Sequence, residues 1–111
     1  MAKLTTVVLQ FIDDGPDQPL EHAVNAWMRA QGHLPFFDRP GMRKLFSGTY
    51  RNFAYREFAV HLRGLPWPDP AYAVLTVTDE DVEGAVTTRM DEPQTDDPTS
   101  PWYVTDVAAL D

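Results

Sequence analysis

A chain of 111 residues with nine Lys and Arg against seventeen Asp and Glu has a formal net charge of −8, which argues against a nucleic-acid partner. The length suits one domain spanning 1–111 with its own core, and the lack of cysteine excludes disulfides and thiolate metal sites. No apolar run approaches the roughly 20 residues of a membrane span, and the N-terminus reads without a signal-peptide pattern, so a cytoplasmic protein with no membrane contact is expected.

Residues 4–12, "LTTVVLQFI", are β-branched and apolar and read as a buried strand. "DDGPDQP" at 13–19 is turn chemistry. The best helix follows over 19–31, where Leu20, Ala23, Val24, Trp27 and Met28 share one stripe, Pro19 suits the first turn and Gly32 the C′ position. Trp27 is expected in the core.

"HLPFFDRPG" at 33–41 reads as a loop. "MRKLFSGTY" at 42–50 fits either a short strand or a helical turn capped by Asp38 and ending before Gly48. Residues 51–63, "RNFAYREFAVHLR", fit a helix closed by Gly64, but a strand is preferred because "AYAVLTVT" at 71–78 is a strong strand that a short loop would let pair with it. That loop, "GLPWPDP" at 64–70, is too short for a domain linker. It is expected to be a rigid strand–strand connection, its prolines keeping it out of either strand. "TDEDVEGAVTTRM" at 78–90 opens like a capping box and reads as a helix with Val82, Ala85, Val86, Arg89 and Met90 on one side. "DEPQTDDPTSP" at 91–101 is acidic and Pro-rich and is expected to be a mobile loop. "WYVTDVAAL" would close the chain as a strand tied down by Trp102 and Tyr103.

The expected fold is therefore α+β, a βαββαβ split-βαβ (ferredoxin-like) domain with an antiparallel sheet and helices on one face.

The charge is unevenly placed. Residues 1–78 carry eight basic and seven acidic side chains, whereas residues 79–111 carry one basic side chain and ten acids. If these halves stay apart in space, the molecule is strongly dipolar and its field steers association.

No catalytic constellation is visible. His22, His33 and His61 lack metal-ligand spacing, Ser47 and Ser100 sit in no nucleophile elbow, and no glycine loop matches a phosphate fingerprint. The pairs Asp13/Asp14 and Asp79/Asp81 are explained by turns and helix-start charge. No catalytic residue, metal or cofactor is expected. "RNFAYREF" at 51–58 resembles the RNP1 signature of RNA-recognition domains through Arg51, Phe53, Ala54, Tyr55 and Phe58, with Asn52 in place of Gly and Arg56 in place of an apolar residue. That resemblance implies base stacking on Phe53 and Tyr55.

Seven of the ten Phe and Tyr fall within 36–58, a density of aromatics next to arginine that is typical of protein interfaces. The first expectation is a small acidic, non-catalytic protein-binding module of inhibitor, immunity or adaptor type. It would mask a partner's surface, such as a basic nucleic-acid-binding groove. Its contact residues would be Asp79, Glu80, Asp81, Glu83, Arg51, Phe53, Tyr55 and Trp67. The alternative is a dimeric α+β-barrel small-molecule binder or cofactor-free enzyme, with His22, His33, His61 and Tyr55 as its polar groups. Further alternatives are a homodimer or structural assembly subunit, and an RNA-binding domain built on the RNP1-like strand.

Overall fold

The computed structural model describes residues 4–12, 19–33, 43–80 and 84–104. Strand β1 (Leu4–Ile12) alternates inside and outside with the period of two that a strand imposes. Thr5, Val7, Leu9 and Phe11 are buried, while Leu4, Thr6 and Gln10 are exposed. The strand that reads as buried from its apolar composition is therefore buried along one face only.

Helix α1 (Pro19–Ala30) buries Leu20, Glu21, Val24, Asn25 and Met28 and ends where the sequence predicts. Its last carbonyls are closed by a Schellman pair. The Gly32 N–H donates to the Arg29 carbonyl at 3.0 Å and the His33 N–H to the Met28 carbonyl at 2.9 Å. Gly32 has φ +79°, a conformation that costs glycine nothing. Trp27 packs, partly buried, against the core as expected.

Residues 43–51 form strand β2 (Arg43–Arg51), the strand option of the two left open. The expected strand over 51–63 is instead helix α2 (Tyr55–Arg63). Tyr55, Phe58, Ala59 and Leu62 are all buried, and their spacing of three, one and three residues is a helical stripe. Asn52, at φ 53°, turns the chain out of β2; Asn is among the few residues that tolerate this left-handed conformation. "GLPWPDP" consequently joins a helix to a strand. Trp67 pins it: its indole N–H donates to the Leu62 carbonyl at 2.7 Å, and its ring meets Phe11 edge-on at 5.2 Å. A short 3-10 turn at Pro70–Tyr72 then leads into β3 (Val74–Asp79).

The expected helix over 78–90 is also corrected. Ala85–Arg89 is strand β4, paired antiparallel with β3 through Val77 opposite Val86 and Thr76 opposite Thr87. Consecutive β-branched residues at 86–88 favour the pleated surface, and Gly84 at φ +71° supplies the turn before it. The four strands lie in the order β2-β1-β3-β4 with every neighbouring pair antiparallel. The result is a small single-domain α+β fold. Its element order, βαβαββ among the described residues, differs from the expected βαββαβ. In particular, β1 and β2 are adjacent and antiparallel, where the split-βαβ arrangement would part them. The helical stripes and the inward rows of the strands share one core on one face of the sheet. No helix among the described residues is long and apolar enough to cross a membrane. The turn expected at 13–19 falls, except for Pro19, outside the described residues, as does most of the 33–41 loop. The closing strand is described only as far as residue 104, and 102–104 are not in a strand.

Residues 91–102 lie along α2 and β4. Arg63 donates through Nε to the Glu92 carbonyl at 3.0 Å, and through its terminal nitrogens to Gln94 Oε1 at 2.9 Å and Thr88 Oγ1 at 2.5 Å. Arg56 donates to the Pro101 carbonyl at 2.8 Å, and Gln94 donates to the Trp102 carbonyl at 2.7 Å. Trp102 is buried against Tyr55, edge to face at 5.8 Å. Removing the guanidinium by Arg63→Ala should cost about 1–3 kcal/mol, because several part-buried polar groups lose a charged partner together. Urea unfolding should show a lower midpoint, with Arg63→Lys intermediate. Amide exchange at Glu92 and Gln94, on either side of Pro93, should quicken while that of β1 holds; equal protection in wild type and Arg63→Ala would show that Arg63 does not tie the segment down.

Candidate functional site

Three features have the composition of a site. The first is an aromatic and imidazole cluster where the end of α1, the end of β2 and the start of α2 meet. Phe53 is at its centre, 5.0 Å from His33, 5.2 Å from Tyr50, 5.6 Å from Trp27 and 5.3 Å from Phe58, centroid to centroid. His61 stacks on Trp27 at 6.3 Å with an interplanar angle of 27°. Its ring donates to the Ala23 carbonyl, while Nε2 is buried with no hydrogen-bond partner among the described residues. Burial lowers the His61 pKa below the ordinary 6.5, and the Ala23 contact offsets part of that shift. Tyr50 lies over Gly48, where a Cβ would meet the phenol oxygen at 2.7 Å, and burial raises its pKa above 10.0. Of the four polar groups expected around a small ligand, His33 and His61 join this cluster. His22 is exposed on α1, and Tyr55 packs on Trp102 instead. Among the described residues no group of three or more His, Asp or Glu is placed to hold a metal.

The second feature is the outer face of the sheet. The register sets Thr49, Thr6, Thr78 and Ala85 in one row and Ser47, Val8, Thr76 and Thr87 in the next. Sequence reasoning missed this face because β1 reads as a buried strand. The available signal was the recurrence of Thr at alternate strand positions, β-branched like Val yet polar.

The third feature is the acidic segment after β4. Asp91, Glu92, Asp96 and Asp97 are exposed, and Glu80 is exposed at the end of β3. The arginines of α2 hold this segment by its backbone carbonyls and Gln94, so its carboxylates are left at the surface. Arg89 is paired with Asp91 at 3.1 Å and Glu92 at 3.5 Å. Asp97 accepts from the Thr99 N–H at 2.9 Å and hydroxyl at 2.7 Å, and these bonds, the backbone one first, lower its pKa and keep it ionised.

The contact residues expected from sequence do not form one patch. Arg51 is exposed opposite Leu4, whose N–H donates to Glu80 Oε1 at 3.4 Å, so Arg51 and Glu80 flank one corner of the sheet. Asp79 is buried and accepts a hydrogen bond from the Thr5 hydroxyl, which removes it from any surface. Phe53 and Tyr55 are buried at 5% and 3% exposure, and Trp67 is half-buried. Asp81 and Glu83 lie outside the described residues. The RNP1-like reading needs 51–58 as a strand with Phe53 and Tyr55 displayed. Residues 55–58 are helical and both rings are inside, so that geometry is absent. Nor do the basic middle and the acidic end stay apart, since Arg56 and Arg63 bond directly to the acidic segment.

Two substitutions probe the cluster. Gly48→Ala should displace the Tyr50 ring, at a cost of about 1–3 kcal/mol for an overfilled site. Because the folded Tyr50 pKa is raised, its contribution to stability is full below about pH 10 and lost as pH rises beyond it. The variant should therefore lose less stability in that alkaline range than wild type does, as followed by urea unfolding. His61 behaves in the opposite sense: its lowered pKa gives stability above about 6.5 that is lost as pH falls below it. His61→Phe keeps the stack on Trp27 and should flatten the decline between about pH 6.5 and 5; an unchanged profile would show that His61 is not a buried neutral group. No family model, curated protein or solved structure matches the chain.

Proposed function

We propose that the chain is a small non-catalytic protein-binding module of inhibitor, immunity or adaptor type that masks a basic surface on a protein partner. The observation behind this reading is how the acidic segment is held. Arg56 and Arg63 bond to carbonyl and amide oxygens, so they fasten the segment without taking up Asp96 or Asp97, while Asp91 and Glu92 share the exposed Arg89. A charged surface fixed in advance loses less conformational entropy on binding than a free acidic tail does. It also steers an oppositely charged partner at low salt. The contact set moves accordingly from Asp79, Glu80 and the buried aromatics to Asp91, Glu92, Asp96 and Asp97.

A second reading, a small-molecule binder, is favoured by the convergence of His33 and His61 on the Trp27–Phe53 pair. It predicts that a bound ligand perturbs both imidazoles in NMR titration.

Tagged protein passed over nuclease-treated lysate should retain a basic protein in stoichiometric amount. With that protein purified, Asp91→Lys combined with Asp96→Lys should weaken binding roughly tenfold at low salt and flatten its salt dependence. Unchanged affinity and unchanged salt dependence would sink the masking idea.

A further inference from the structure

The outer face of the sheet differs in character from the rest of this acidic molecule. Between the corner at Leu4 and the corner at Arg89, its rows carry hydroxyls, aliphatic side chains and Gln10, with no carboxylate. Leu4 and Leu45, two of the three large hydrophobic residues exposed among those described, sit on it at 49% exposure each. Its hydroxyls are already partly satisfied within the sheet, Thr6 with Thr49 at 3.0 Å and Thr76 with Thr87 at 3.1 Å. Covering a hydroxyl that keeps its partner avoids most of the desolvation cost of burying a polar group.

We infer that this face is the interface of a homodimer, in which the sheets of two copies pack face to face. Charge favours a second copy as the occupant. Two molecules of net charge −8 repel at long range, and close approach is cheapest where neither presents a carboxylate. A basic partner, by contrast, is drawn to the acidic segment rather than to a neutral surface. Size is compatible as well. Four strands at about 4.8 Å spacing, averaging about seven residues at about 3.3 Å, give a face of roughly 450 Å² in plan, so two copies would cover about 1,000 Å² once side-chain relief is counted. That area is at the lower bound for a specific interface, the range of weak and reversible contacts, so association is sought between about 1 and 100 µM.

Sedimentation equilibrium of the full chain over that concentration range should show a monomer–dimer equilibrium. Val8→Glu and Thr76→Glu, both in the central row, should each raise the dimer Kd at least roughly tenfold, while Asp96→Lys on the acidic segment should not weaken it. Circular dichroism would establish that each variant is folded. Because the chain has no cysteine, a second measurement is independent of variants that misfold. Val8→Cys should form a disulfide-linked dimer on mild oxidation, and Thr99→Cys in the exposed turn should not. A wild-type monomer throughout the range, a dimer indifferent to Val8→Glu and Thr76→Glu, or equal crosslinking of both cysteines would overturn the inference. None of these results bears on the acidic segment, whose test reads binding to a basic protein rather than self-association.

Discussion

Strand β1 is hydrogen-bonded on both sides, to β2 through nine paired positions and to β3 through six, and everything else in the molecule is placed by that register. Its inward row, Thr5 to Phe11, is the floor on which both helices pack. Its outward row is the middle of the open face. A slip of one residue would exchange the two rows, burying Thr6 and Gln10 and exposing Val7, Leu9 and Phe11. Three buried aliphatic and aromatic side chains at roughly 1.5–3 kcal/mol each make that exchange prohibitive beside a total stability of about 5–15 kcal/mol. The buried Thr5–Asp79 hydrogen bond adds a polar check on the same register, because an unpaired carboxylate inside would cost more than most single contacts return.

The second constraint is electrostatic. A chain with ten acids in its last 33 residues has to keep that segment against a folded body without burying the charges. The solution is selective. Arg63 and Arg56 bond to oxygens that carry no net charge, and Arg89 pairs with Asp91 and Glu92 in an exposed position where screening leaves little net gain. Most of the anchoring comes from Trp102 buried on Tyr55 and from the bonds of the half-buried Arg63. Burial lowers the Arg63 pKa and the nearby Glu92 carboxylate offsets part of that shift, so the guanidinium stays charged while holding neutral oxygens.

What could be read from sequence follows the strength of local signals. The first strand, the first helix with its Gly32 stop, and β3 carry long apolar patterns with punctuated ends, and they fall close to where those patterns put them. The two errors of type, α2 and β4, share a cause. "YREFAVHLR" alternates well enough to pass as a strand, and only the pairing of β3 with β1 and β4, a long-range fact, leaves no place for it beside β3. "AVTTR" has a weak helical stripe, but its β-branched residues gain partners along β3 that no sequence window displays. The site suffered in proportion. Phe53 and Tyr55 were expected on a surface because their segment was expected in a strand, and Asp79 because acids are usually outside. The exposed acids of 91–97 were legible from composition alone; that arginines would hold their backbone and not their carboxylates was not, since those contacts join residues 25–45 positions apart in the chain.

A four-stranded sheet covered on one side has two edges and one open face through which it can associate. The edges are poor candidates here. β2 carries Arg43, Lys44 and Arg51, the cationic content by which natural edge strands resist pairing with another chain. β4 is only five residues long, and Thr88 within it already accepts from Arg63. Edge addition would therefore set like charges against each other at one side and have little strand to extend at the other. The open face has neither obstacle: its central row is uncharged, several of its hydroxyls are paired in place, and its apolar content is already exposed. Association through the face leaves the segment 91–101, fastened to α2 behind the sheet, free to meet a different molecule. The proposed masking of a basic partner and the proposed dimer would thus use separate surfaces, the acidic segment for the first and the uncharged rows of the open face for the second.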